Sequence, residues 1–404
     1  MNADFLIIGG GMVGLSIANQ FLERNISKNI VVIDKEKSLG IHSSGLNSGV
    51  LHSGVYYKPG TLKSKVCVSG SRRLKKWIKE RNLPINECGK IIIPQDENLD
   101  NQLDVLKQRA TKNGAKVELI NEKELKSLEP FVKSSTGRAL WSPNTVVVKS
   151  KIVLNKLESE LREKGVKFFL HQKNWDVDPL KCIFFLDNGN KINYGHLINC
   201  SGLHADRVAK KFNIGEKYRL FPFKGIYWAL RNNSEIKINR NIYPVPDLNV
   251  PFLGVHFTPS ADEIPTIYIG PTATPALGRE NYKGLDAFEP LSTLSNLLSL
   301  AGQYLQNNGG FRKYVHEQLL LALKPVMLNS AKKLIPSITN YDIVECEKVG
   351  IRSQLFNLDE EKLEDDFLCL EGPSSTHVMN AISPAFTASF SLADLIIDQM
   401  ISKI

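Results

Sequence analysis

The chain has 404 residues, 42% of them hydrophobic and 23% charged, an ordinary balance for a folded protein with room for about two domains. That balance argues against a disordered chain or a small disulfide scaffold, and no uninterrupted apolar run reaches the roughly 18 residues of a membrane-spanning helix. The net charge is +9, but the lysines are spread along the chain, with small clusters such as Arg72, Arg73, Lys75 and Lys76, and no arginine-rich arm, so no nucleic-acid partner is expected.

The first elements form one unit. Phe5-Leu6-Ile7-Ile8 is an apolar run suited to a strand buried on both faces. Gly9-Gly10-Gly11-Met12-Val13-Gly14 follows, with GxGxxG spacing on Gly9, Gly11 and Gly14. Leu15 to Leu22 has helical spacing, and Val31-Val32-Ile33 is a second strand closed by Asp34 and Lys35. Gly9 permits a tight turn, Gly11 a close approach of backbone to pyrophosphate, and Gly14 the packing of helix on strand. The helix start, with Met12 and Val13, offers free N–H groups to phosphate. Asp34 can accept hydrogen bonds from ribose hydroxyls and would repel a 2′-phosphate. The order of these parts predicts a dinucleotide-binding unit for FAD or NAD. The apolar start belongs to this fold, so no signal peptide is expected.

Four later segments carry a resemblance. Gly40 to Gly60 is rich in small and polar residues, among them Ser43, Ser44, Asn47, Ser48, Gly49, Val50, Leu51 and His52. Leu197 to Asp206 contains Cys200-Ser201-Gly202. Tyr243-Pro244-Val245-Pro246 and Pro251 to Thr258 read as strands. His377 to Ser389 contains Asn380, Ile382, Ser383, Pro384 and Ala385. In this order the segments resemble the D-amino-acid-oxidase-like superfamily of FAD oxidoreductases, and within it the L-2-hydroxyglutarate dehydrogenase/oxidase family. Two positions depart from the family pattern. Val148-Lys149 stands where an acidic residue is common, and Thr272 where an asparagine is usual.

The resemblance implies a mixed α/β fold: a Rossmann-like FAD-binding domain from residues 1–80, 151–212 and 341–404, and a substrate domain with a mixed sheet from 81–150 and 213–340. It implies FAD as cofactor, held by the residues named above together with Asn174 and Gly350, and no metal. It also implies an enzyme that oxidises an L-2-hydroxy acid, L-2-hydroxyglutarate, with quinone or oxygen as electron acceptor. An amino-acid or amine oxidase, a glycerol-3-phosphate-type dehydrogenase and a flavin-binding protein without turnover are the alternatives.

Such chemistry needs a base and a carboxylate clamp. His256 and His52 rank together as the base, with His377 third, because a neutral imidazole titrates near working pH. Arg352 is the expected clamp, since a guanidinium grips carboxylate with two donors. Tyr56, Tyr57 and Lys58 follow the flavin stretch and can reach the same acid. Arg279 and Lys224 are weaker candidates.

Leu291 to Leu305 and Val315 to Leu323 read as amphipathic helices, with Pro325 ending or kinking the second. Lys313, Lys324, Lys332 and Lys333 lie beside them. Packing against the domain is one reading; a basic, apolar surface docked on anionic membrane is the other. A cytoplasmic protein, peripheral on the inner face of the membrane, is expected. The six cysteines show no CxxC and are expected to be free thiols.

Overall fold

The computed structural model describes residues 1–402 apart from 247–252 and 308–310. Pro251 and Phe252, quoted above for the resemblance, lie outside the described residues, as does the side chain of Lys313. The first strand, Asn2–Ile8, runs parallel between Ile30–Ile33 and Lys191–Asn199, with Ile8 level with Ile33 and Asn199. Lys167–Phe169 and Ser375–Asn380 extend this parallel core at either side. Three antiparallel strands complete an eight-stranded sheet. The carboxyl halves of its central strands, Leu6-Ile7-Ile8, Val31-Val32-Ile33 and Leu197-Ile198, are apolar and buried, as burial on both faces requires.

Helices Met12–Glu23, Leu62–Glu80 and Ala385–Ile401 share one core through Phe21, Leu74, Trp77, Phe390 and Ile396. Each such fully buried side chain contributes about 1.5–3 kcal/mol. The chain termini therefore meet in the same layer, and the nucleotide unit is discontinuous.

A ten-stranded mixed sheet forms the second layer. Its longest pair is Tyr218–Leu230 against Ile343–Asn357, antiparallel, with Phe223 opposite Arg352 and Gly225 opposite Gly350. Residues 343–357 were expected with the nucleotide unit. They belong to this sheet, because they hydrogen-bond along nearly their whole length to 218–230, and the expected boundary at 341 is corrected accordingly. Lys90–Ile93 pairs parallel with Asn241–Pro244, and His256–Pro259 lies next in order. A small sheet of Val50–Leu51, Val146–Val148 and Ile85–Asn86 carries the stretch between the two layers.

The amphipathic helices run over Pro290–Gln306 and Phe311–Leu320. The second stops short of the expected Leu323. A new helix, Lys324–Lys332, starts with Pro325 in its first turn, where a missing N–H leaves no bond unmade.

Candidate active site

The parallel strands end together, and the chain leaves them at Gly9, Asp34 and Cys200. Two cavities of about 270 and 370 Å³ open there and share Gly11, Ser43, Ser44, Cys200 and Gly202. They form one slot at the carboxyl edge of the sheet, the usual position of a ligand in such folds.

The outer part is built by the first turn. Gly9 has φ +103°, and a Cβ there would lie 2.4 Å from the Cys200 carbonyl oxygen. A Cβ on Gly14 would lie 2.2 Å from the Gly9 carbonyl oxygen. Neither position admits a side chain. Asp34 accepts hydrogen bonds from the backbone N–H groups of Gly10 at 2.8 Å and Glu36 at 2.9 Å. Burial raises its pKa, opposed by those two bonds. The Met12 N–H donates to Ser44 Oγ at 2.9 Å. The helix has no acidic residue in its first turn and no side-chain cap at Gly11. Ser44 thus meets one N–H, but no carboxylate of the first turn offsets the helix's positive end where the two cavities meet. A half-buried carboxylate at one end and a helix start with no acidic residue in its first turn in the middle fit a dinucleotide.

Of the expected cofactor contacts, Gly9, Gly11, Asp34, Lys35, Ser43, Ser44, Cys200, Ser201 and Gly202 border the outer cavity. Met12, Val13, Asn47, Ser48, Val50, Gly350, Ile382, Ser383, Pro384 and Ala385 border the inner one. Five border neither. Gly14 and Leu51 are packed inside. Gly49 turns the chain at φ +76°, its N–H donating to Asn47 Oδ1 at 2.8 Å. Asn174 donates its N–H to Asp187, and its neighbours Lys173 and Trp175 border the slot instead. Asn380 is buried and ties loops together, donating to the carbonyls of Glu364 at 3.0 Å and Asp366 at 2.7 Å.

The inner part ends at His52, Tyr227, Tyr243, His256, Thr272 and Arg352. Among the described residues, no aspartate or glutamate borders it. His256 stacks on Tyr243 at 3.9 Å between ring centroids. Its Nδ1 lies 2.8 Å from the Gly254 carbonyl oxygen. A carbonyl only accepts, so Nδ1 carries the proton and Nε2 keeps its lone pair. Burial lowers the His256 pKa to about 3, with Lys90 and Arg352 adding repulsion and the Gly254 bond opposing it. Burial, then Lys90, His256 and Arg352, holds His52 well below its ordinary value. Both rings are neutral at working pH.

Lys90 was not singled out from the sequence. It opens the strand Lys90–Ile93 and is 1% exposed. Its Nζ lies 3.4 Å from His52 Nδ1 and over the rings of Tyr243 at 4.3 Å and Tyr56 at 5.1 Å. Burial lowers its pKa to about 7.

Several expected substrate contacts stand elsewhere. Arg279 is 5% exposed and donates to Asp206 at 2.8 Å and to the Leu203 carbonyl at 2.6 Å. Its charge is neutralised within the protein. Lys224 donates to Asn281 Oδ1 at 2.8 Å and does not border the cavity. Lys58 is exposed and does not border the cavity. Tyr56 covers Lys90, and Tyr57 hydrogen-bonds Ser383 beside the cavity. His377 is buried between Asn199 and Ser375, apart from the inner cavity.

The structure resembles L-α-glycerophosphate oxidase from Mycoplasma pneumoniae (TM-score 0.75, 19% identity, 98% of this chain and 94% of that one). It also resembles glycine oxidase from Geobacillus kaustophilus (TM-score 0.71, 15% identity, 100% and 95%). These likenesses show the fold. In sequence, the chain is 34% identical to the mitochondrial L-2-hydroxyglutarate dehydrogenase of Nematostella vectensis, over 98% of this chain and 90% of the relative. It is 33% identical to the L-2-hydroxyglutarate dehydrogenase of Indibacter alkaliphilus, with both chains fully covered. The FAD dependent oxidoreductase profile matches residues 4–399. With that match across nearly its whole length, the chain belongs to the FAD dependent oxidoreductase family.

Proposed function

We propose that the protein oxidises L-2-hydroxyglutarate to 2-oxoglutarate. The observation that carries this reading is the inner cavity: an arginine, two neutral imidazoles and no bordering carboxylate, opening directly onto the dinucleotide slot. The relatives of similar length bear the same activity in their names.

Asp34 would hold the FAD ribose, the start of helix Met12–Glu23 its pyrophosphate, and Ser43 to Ser48 with Ile382 to Ala385 its flavin end. When bound, FAD supplies the two-electron acceptor for the hydride that leaves C2 of the substrate. Arg352 grips a carboxylate with two parallel donors. Nε2 of His256 takes the hydroxyl proton as the C2–O bond becomes a carbonyl. Burial of both histidines keeps them unprotonated, so the base is ready before substrate arrives.

An amine substrate is disfavoured by the same cavity, since its ammonium would meet Arg352 with no bordering carboxylate to pair with. The test is anaerobic bleaching of the yellow holoprotein. L-2-Hydroxyglutarate should reduce the flavin within the turnover time, and its D-enantiomer, glycine and glycerol 3-phosphate should not. Reduction by an amino acid or by glycerol 3-phosphate, with none by the hydroxy acid, would overturn the reading.

We infer that electrons leave through a quinone at an anionic membrane, with oxygen the other acceptor. Leu291, Leu298 and Leu305 on helix Pro290–Gln306 are 83%, 66% and 71% exposed at spacings that share one face. Leu319, Leu320 and Leu323 are exposed nearby, with Arg312, Lys324, Lys332 and Lys333 around them. Packing against the domain leaves these leucines uncovered, which supports docking over the packing reading. Among the described residues no helix is long and apolar enough to cross a membrane.

A further inference from the structure

The two histidines of the inner cavity stand in opposite hydrogen-bonding states. His256 donates from Nδ1 to a carbonyl, leaving Nε2 as an acceptor. His52 presents Nδ1 to the ammonium of Lys90 at 3.4 Å. An ammonium has three donors and no acceptor. The nitrogen facing it is therefore the bare one, and the His52 proton sits on Nε2. That nitrogen makes no hydrogen bond among the described residues. His52 borders the inner cavity and Lys90 does not.

Lys90 has no carboxylate within salt-bridge distance among the described residues. Its charge rests on the faces of Tyr243 and Tyr56 and on His52. A buried, anion-free lysine is costly for stability, and contact with aromatic faces recovers only part of that cost.

We propose that Lys90 is a positioning residue that locks His52 in the Nε2–H tautomer, so that His52 donates a hydrogen bond to a substrate carboxylate while His256 accepts the proton. This rests on the hydroxy-acid reading for the identity of the substrate, but the tautomer itself does not. The two histidines then have different tasks although both are neutral. A doubly charged acid gains from the arrangement, because Arg352 supplies one site and the His52 donor, backed by the Lys90 charge, supplies a second.

The groups facing Lys90 are His52, Tyr56, Tyr243, Cys67 and Cys88, with His256 and Arg352 beyond His52. A neutral Lys90 amine can accept as well as donate, so the lock opens as pH rises through about 7. The KM for the hydroxy acid should then rise above that pH while kcat changes less.

Two measurements test this on the FAD-loaded protein. The first is nitrogen NMR with labelled histidine, His52→Gln giving the assignment. His52 should show a bare Nδ1 and a protonated Nε2 in the parent protein, and a mixture of tautomers in Lys90→Met. A protonated Nδ1 on His52 in the parent protein overturns the proposal, whether or not Lys90→Met folds. The second is the pH profile of KM. Lys90→Met should raise KM about two- to fivefold at pH 6, since only a fraction of His52 then stands in the donating tautomer, and flatten the profile. An unchanged profile in the variant overturns the proposal. If the tautomers are as stated but no hydroxy acid bleaches the flavin, it is the substrate reading that fails.

Discussion

Replacing Asp206 with asparagine removes one charge from a buried ion pair at nearly constant volume. Asp206 is 1% exposed and Arg279 5%. One carboxylate oxygen accepts from Arg279 Nη2 at 2.8 Å and from the Leu220 N–H at 3.1 Å; the other accepts from Arg279 Nη1 and from its neighbour Arg207 N–H at 2.9 Å. An asparagine must turn its NH₂ toward one of these donor pairs, so a donor meets donors whichever way it points. The guanidinium keeps only Glu289, whose carboxylate lies 4.0 Å from its Nε, and breaking a buried pair in this way costs up to about 3–5 kcal/mol. For 404 residues, an unfolding entropy of about 2.1 cal/mol/K per residue totals about 0.85 kcal/mol/K, so the melting temperature should fall by about 4–6 °C. The assay is thermal unfolding followed by circular dichroism. Low pH supplies a second reading. The folded Asp206 pKa lies below its ordinary 3.8, so the parent protein holds this stability above 3.8 and loses it as pH falls through the folded value. Asp206→Asn has nothing to lose there, and the gap between the two proteins should narrow below pH 3.8. KM for the hydroxy acid should be unchanged in the folded variant. A melting temperature within about 1 °C of the parent, or a raised KM in Arg279→Met with stability intact, would refute the structural role and return Arg279 to the substrate site.

Asp34→Ala should weaken FAD retention by about 1–3 kcal/mol, read by dialysis against apoprotein, because a half-buried carboxylate placed to accept from the ribose is lost; unchanged retention would place the ribose elsewhere. Arg352→Lys keeps the charge and loses the two-pronged donor, so kcat/KM should drop about tenfold to hundredfold, with flavin content unchanged. The holoprotein should co-sediment with anionic vesicles and be released by salt, and Leu298→Ser should weaken this; equal binding to neutral vesicles, or none to either, would leave the packing reading of the helices.

The nucleotide unit was legible because its signals are local. Strand, glycine turn, helix, strand and Asp34 follow within the first 34 residues, and Gly14 is required by the nearby Gly9 carbonyl, although Gly9 itself is required by Cys200 from a distant segment. The same locality explains the errors. Arg279 and Lys224 are cations in plausible segments, but their partners, Asp206 and Asn281, lie 73 and 57 residues away. No spacing rule shows that an arginine is already neutralised by such a partner. Asn380 sits in the closing motif, yet its side chain serves the carbonyls of Glu364 and Asp366. The strand 343–357 was assigned by its neighbours in sequence, whereas its hydrogen bonds go to 218–230.

Lys90 is the instructive omission. In sequence it is a polar residue at the head of an isoleucine run, which reads as a solvated strand end. Its burial is made by Tyr56, Tyr243 and His52, three residues from two distant segments that the fold alone brings together. The available signal was the company it keeps: a lysine opening a strand whose other residues, Ile91, Ile92 and Ile93, are wholly buried. A cation so placed either snorkels to water or is retained for an anion that the chain does not provide. Here it does not reach water, and no aspartate or glutamate borders the adjoining cavity among the described residues. The two facts have one explanation if the missing anion belongs to the substrate. The Lys90 charge beside the cavity is then kept without a carboxylate partner because the acid that enters completes the charge balance.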